Sequence, residues 1–168
     1  MAVYIYNAPI GPIRLVAENG FITGLYFGTD TREWTYFDAK EEPALLAGSS
    51  DTEIIGLCTQ ELDAYFAGQL REFTVPIKAD GTEFRVKVWQ ALLDIPYGAT
   101  ISYKELAHNI GQPTAVRAVG GANHHNPISI IIPCHRVIGA GGSLTGYGGG
   151  LAIKEQLLAL EARYSTAG

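Results

Sequence analysis

Cysteine is scarce in this chain. Two occur among 168 residues, Cys58 and Cys134, far apart and in unlike surroundings. That rules out a disulfide framework and a zinc site built on several thiolates, and no metal site is expected. Such sparing use fits a reducing compartment, so a cytoplasmic location is expected. Long apolar runs are missing too, and Met1 to Asn7 lacks the basic-then-apolar order of a signal peptide. Neither a membrane partner nor secretion is expected. Basic charge is in short supply, with twelve Lys or Arg against seventeen Asp or Glu and a net charge of −5. Taken over the whole chain, that argues mildly against nucleic acid as a partner.

What is present changes the last point. Residues 1–80 carry five Lys or Arg against twelve Asp or Glu, a balance of −7, whereas residues 81–168 carry seven against five, a balance of +2. All four histidines also lie in the second part. The asymmetry suggests two bodies, of which only the second is suited to approach phosphates. With 47% hydrophobic and 17% charged residues the chain can bury a real core, and its length suits two small domains.

The local patterns divide the chain at the same place. Val3 to Tyr6, Ile13 to Ala17 and Phe21 to Phe27 read as strands, with Asn19-Gly20 a strong hairpin signal. An amphipathic helix is predicted to open at Thr52, carry Ile54, Ile55, Cys58, Leu62 and Phe66 on one face, and stop at Gly68. Phe73 to Ile77 reads as one more strand, and Ala79-Asp80-Gly81 as a linker. The expectation is an N-terminal α/β domain over 1–80 and a mostly helical domain over 81–168.

In the second part Thr82 is a good N-cap for a helix that ends before Pro96. Ser102-Tyr103-Lys104-Glu105 forms a capping box and starts a helix reaching about Ile110. Gly111-Gln112-Pro113 supplies a turn, and 114–122 the next helix, which together outline a helix-turn-helix. The apolar run 128–132 reads as a buried strand or extended segment leading into Pro133-Cys134-His135-Arg136-Val137. After a glycine-rich stretch, 151–164 is a final helix with Leu151, Leu157, Leu158 and Leu160 expected inward.

The chemistry centres on Cys134. A thiolate is the reactive form of cysteine, and an adjacent base oriented by a third group can generate it. His135 is the candidate base, directly or through water, and Glu161 on the last helix is the candidate orienting group. An isolated Cys-His pair is more often a small buried hydrophobe beside a satisfied histidine.

The surrounding pattern removes the isolation. Asn126-Pro127, the apolar run, Pro133-Cys134-His135-Arg136-Val137, Tyr147, and Gly149-Gly150-Leu151 follow one another in order. Tyr97-Gly98, Ser102-Tyr103 and Arg117-Ala118-Val119-Gly120-Gly121-Ala122 precede them. Together these resemble the O6-alkylguanine-DNA alkyltransferases, densely across 82–161 and more generally over 1–80.

The resemblance implies a small ribonuclease-H-like α/β domain beside a winged-helix-like domain with a helix-turn-helix. It implies DNA repair by direct, single-turnover transfer of an alkyl group from guanine O6 to Cys134, with O4-alkylthymine a further candidate substrate and no cofactor. The partner is double-stranded DNA containing alkylated guanine, bound through the minor groove by a monomer. His135 resembles the family's water-linked base, Glu161 its partner, and Asn126 the link from helix-turn-helix to active-site strand. Tyr103 would donate to guanine N3, and the Val137 and Cys134 carbonyls would accept from the exocyclic amine. Tyr147 and the Gly148 amide would wall the pocket. Arg117 resembles the arginine that fills the vacated base stack, while Ala118, Gly120 and Ala122, with Ser102 and Tyr103, would lie at the DNA.

His124-His125 departs from the family pattern at a turn where glycine is common, and His is one of the less costly residues there if a positive φ is needed. Gly148 stands where some relatives carry serine, which implies a wider alkyl pocket. Other function classes also fit parts of the pattern. A non-catalytic flipped-base-binding repair adaptor would not need Cys134, a cysteine hydrolase would need an oxyanion hole, and a transcription regulator would need only the helix-turn-helix.

Overall fold

The computed structural model describes residues 1–28, 50–142 and 150–165, which form two compact units, Met1–Ala79 and Asp80–Gly168. In the first unit, β1 (Ala2–Ala8), β2 (Gly11–Glu18) and β3 (Phe21–Phe27) make an antiparallel sheet in the order β1-β2-β3. Asn19 and Gly20 both take positive φ, 52° and 82°, as a two-residue turn matched to strand twist requires. Alternation along β2 turns Ile13, Leu15 and Ala17 into the core. There they meet Ile55, Cys58, Leu62 and Tyr65 of α1 (Ser50–Phe66), which packs across all three strands. The helix begins two residues before Thr52, and Tyr65 is fully buried where the apolar pattern pointed to Phe66.

The strand expected at 73–77 reduces to one parallel bridge between Ile77 and Ile22. Two causes are visible. The buried Glu61 carboxylate captures the N–H groups of Thr74 and Val75, at 2.7–3.0 Å, and Pro76 has no N–H to give.

In the second unit α2 (Glu83–Leu92) is capped by Thr82, whose hydroxyl accepts from Arg85 N. The two-residue strand β4 (Ile101–Ser102) leads into α3 (Tyr103–Asn109) through a complete Ser102/Glu105 capping box. Gly111 reverses the chain at φ 76°, and α4 (Val116–His124) completes the helix-turn-helix. Trp89 Nε1 donates to Ala122 O at 2.8 Å, binding α2 to the C-terminal half of α4. β5 (Val137–Ile138) pairs in parallel with β4, giving the short ladder of a winged-helix-like domain. The last helix, α5 (Leu151–Ser165), buries Ile153, Lys154, Leu157 and Glu161. Leu151 is half exposed, and Leu158 and Leu160 are only partly covered. The inward face is thus rotated from the one that leucine positions alone suggest, because two charged residues occupy it.

Residues 128–132 are not a strand. They form a tight loop held by Asn126, whose Oδ1 accepts from Ile128 N at 3.0 Å while its Nδ2 donates to Ile132 O at 2.8 Å. Ile130 inside it has φ 69°, an outlier for a β-branched residue that costs on the order of 1–3 kcal/mol. The apolar run is buried as expected; the side-chain amide, not a neighbouring strand, satisfies its backbone.

Candidate active site

The Asn126 loop delivers the chain into a single 3₁₀ turn, Cys134–Arg136, whose three side chains are all buried. Cys134 N donates to Ile132 O at 2.7 Å, so the cysteine is fixed from both sides of Pro133.

Glu161 is the hub of the site. It is 1% exposed, and three residues converge on its carboxylate. His135 Nε2 lies 2.6 Å from Oε2; Arg136 Nε and Nη2 donate to Oε1 and Oε2 at 2.7 and 3.1 Å; Gly98 N donates to Oε1 at 3.4 Å. The third guanidinium nitrogen of Arg136 donates to Ile95 O at 2.7 Å. Burial pushes the Glu161 carboxyl upward, but the hydrogen bonds and charge from His135 and Arg136 reverse this and hold it well below the usual carboxylate range.

Arg136 already neutralises Glu161, so His135 need not be charged. Burial is the main force lowering the imidazole pKa; Glu161 opposes it, while Arg136 and Lys154 add to it. A neutral His135 facing a carboxylate at Nε2 must carry its proton there. Nδ1 is then a free lone pair, and it is buried with no hydrogen-bond partner. The residue that follows Cys134 is thus a buried imidazole with one nitrogen held by Glu161 and the other open.

Lys154 is the residue that sequence reasoning missed. It is fully buried, donates to Val137 O at 2.5 Å, and lies 5.8 Å from the Tyr103 ring centroid. Burial lowers its pKa, and the charge on Cys134 acts in the opposite direction. Its position seven residues before Glu161, hence on the same helix face, was the available signal.

Tyr103 begins α3 and is half-buried, with Gly120 of α4 beside its ring. Arg117 and Ala118 are exposed on α4, and Ser102 is half-buried at the N-cap of α3. Ala122 is a correction: it is 2% exposed and faces α2, so it packs the core and cannot touch DNA. Asn126 lies two residues past α4, and its side chain bonds to Ile128 N and Ile132 O in the segment that leads to Cys134. Asn123, inside α4, adds a second connection, its Nδ2 donating to Cys134 O at 3.3 Å. His125 sits at φ −93°, so its position needs no left-handed conformation. Tyr147 and Gly148 lie outside the described residues.

Cys58 contrasts with Cys134. Burial, followed by the Glu61 charge, pushes its thiol up to about 12, which keeps it protonated and inert at neutral pH. Among the described residues no cluster of three His, Cys, Asp or Glu side chains could hold a metal.

Two family models cover nearly the whole chain: the ribonuclease-like domain of 6-O-methylguanine DNA methyltransferase matches residues 1–79, and the DNA binding domain of the same family matches 83–163. The chain belongs to the 6-O-methylguanine DNA methyltransferase family. Curated members agree. The methylated-DNA–protein-cysteine methyltransferase of Methanosarcina barkeri is 59% identical over 158 residues, 94% of each chain. That of Mycolicibacterium paratuberculosis is 48% identical over 161 residues, 96% of this chain and 92% of the relative. Among solved structures, Mycobacterium tuberculosis OGT in complex with DNA superposes with a TM-score of 0.82 at 46% identity, covering 96% of this chain and 93% of the other. Within this family frame, no helix among the described residues is long and apolar enough to cross a membrane.

Proposed function

We propose that this methyltransferase repairs DNA by moving an alkyl group from guanine O6 to the sulfur of Cys134. The observation that carries the assignment to Cys134 is its place beside a buried His135–Glu161 pair whose free imidazole nitrogen can take the thiol proton. The Lys154 ammonium adds positive charge near the sulfur and favours the thiolate. The thiolate attacks the alkyl carbon, a C–S bond forms, the C–O6 bond breaks, and its electron pair returns to the guanine. Tyr103, with the Lys154 cation near its ring, supplies a proton or hydrogen bond to N3 so that the base leaves neutral. The thioether has no hydrolytic exit, and each molecule acts once.

A base inside a duplex must first be flipped out, at a cost of roughly a few kcal/mol. Arg117, exposed at the second residue of α4, is suited to fill the vacated stack, with Ala118 and Gly120 allowing close approach in the minor groove. A reactive thiol acceptor needs a reducing compartment, and the cytoplasm is where we place the protein.

Intact mass after mixing with a duplex containing O6-methylguanine should rise by one methylene. Peptide mapping should place it on Cys134 and leave Cys58 unmodified; a methyl found elsewhere overturns the assignment of the acceptor. For Arg117→Ala, transfer from the duplex should slow at least about tenfold, whereas reaction with free O6-benzylguanine, which needs no flipping, should hold near the wild-type rate. Equal losses on both substrates would give Arg117 a structural role instead.

A further inference from the structure

The paired histidines at the end of α4 have no part in the mechanism above. Val119, Ala122 and Asn123 turn one side of this helix into the core. Ala118, Gly121 and His125 follow one another at intervals of three and four residues, so they share a second line, next to Arg117. That line is open: Ala118 and His125 are exposed, and a Cβ added at Gly121 would meet nothing within 4 Å. His125, the C-cap residue of α4, therefore lies on the side assigned to the minor groove, about 10 Å along the axis from Ala118. A helix with its side chains is roughly 10–12 Å across, whereas the minor groove is only about 6 Å wide. Small residues let the middle of α4 approach the groove, and a longer side chain at its end meets the phosphates on the rim.

The His125 ring is already committed at one nitrogen. Nδ1 lies 2.8 Å from Gly121 O, and a carbonyl can only accept, so Nδ1 carries a proton. In the neutral ring Nε2 is then a bare lone pair. A phosphate oxygen is also an acceptor, so the two repel. Protonation makes Nε2 a donor and charges the ring, while the bond to Gly121 O stays. Histidine is the side chain whose charge changes near neutral pH. The His124 ring packs edge-on against that of His125, with centroids 5.3 Å apart. The helices packed against α4 are α2, with Glu83, Arg85 and Lys87, and α3, with Lys104, Glu105 and His108. None of these groups forms a hydrogen bond or ion pair with His125. Among the described residues, then, no carboxylate competes with a phosphate for the ring. We infer that His125 is a phosphate-binding residue of the DNA interface, engaged through Nε2 in its protonated form, so that binding DNA takes up a proton.

The inference rests on the reading of the chain as a DNA-repair protein, and the test separates the two. Binding of an undamaged duplex, from which nothing is transferred, is measured by fluorescence anisotropy over a series of salt concentrations. It is done at about pH 6 and about pH 8, either side of the ordinary histidine value. Wild-type protein should bind about fivefold more tightly at the lower pH. Its plot of log affinity against log salt should be steeper there by about 0.9, the contribution of one phosphate contact. His125→Ala should bind at both pH values as weakly as wild-type protein does at the higher one, with a single salt slope. His125→Gln, which takes up no proton, should likewise lose the pH response and serves if the alanine variant does not fold. His125→Lys, charged throughout, should bind tightly at both. Wild-type affinity that ignores pH, a pH response undiminished in the folded variants, or a lysine variant as weak as the alanine one overturns the role of His125 and leaves the repair reading standing. Wild-type protein that binds the duplex at neither pH defeats that reading itself.

Discussion

Cys134→Ala should transfer no methyl at all while still binding duplex DNA that carries O6-methylguanine. The substitution removes one sulfur atom from a buried 3₁₀ turn. It leaves in place the backbone bonds from Cys134 N to Ile132 O and from Asn123 Nδ2 to Cys134 O. The elements assigned to DNA, Arg117 and Ala118 on α4 and Tyr103 on α3, lie outside the 3₁₀ turn that carries the thiol. Intact mass reports the transfer, and fluorescence anisotropy of the labelled duplex reports the binding. No rescue by the second thiol is expected, since burial keeps Cys58 protonated. Residual transfer in this variant, with the methyl on Cys58, would overturn the assignment. Loss of DNA binding together with transfer would mean that the sulfur also shapes the base pocket.

Local signals in the sequence located most of the fold, and where they erred a side chain had intervened. The Asn19-Gly20 turn, the Thr82 cap and the Ser102/Glu105 box act over three or four residues and appear as read. The strand expected at 73–77 failed because Glu61, more than ten residues away, takes the amides a strand would have used. The run at 128–132 failed for a related reason: its β-branched composition favours extension, but Asn126 bonds to both ends and closes it into a loop. The site was legible where chemistry and spacing coincide, at Cys134, His135 and Glu161. Asn123 was not, because nothing local shows that a polar residue on a helix faces inward, and Lys154 was marked only by its spacing from Glu161; both are buried. Arg136 is likewise buried, and it shares the carboxylate with His135, which nothing local in the sequence shows.

That sharing makes Glu161 the most consequential residue for both stability and reactivity. In Glu161→Ala the Arg136 guanidinium keeps only the Ile95 carbonyl among the partners described above, and the His135 Nε2–H loses its acceptor. Stranding a buried charge costs about 3–5 kcal/mol, so thermal unfolding should fall by at least about 10 °C. The pH dependence has a definite sign. His135 has a folded pKa below its unfolded value of about 6.5. The unfolded chain therefore binds the extra proton first, and stability falls as pH drops below that point. Glu161 is also held low, so its contribution is present above the ordinary carboxylate range, near about 4.3, and is lost as pH falls through its folded value. Both effects weaken the wild-type protein in acid. Glu161→Gln keeps the shape and tests the chemistry. Without the carboxylate, nothing opposes the burial and the Arg136 and Lys154 charges that depress the imidazole, which makes His135 a poorer base and leaves its ring unanchored. Methyl transfer at neutral pH should slow by roughly 10²-fold, with a similar loss for His135→Gln. The double variant should lose little more, because groups acting as one unit are not additive. Losses that multiply in the double variant would show that Glu161 serves Arg136 and the fold, and that His135 works without it.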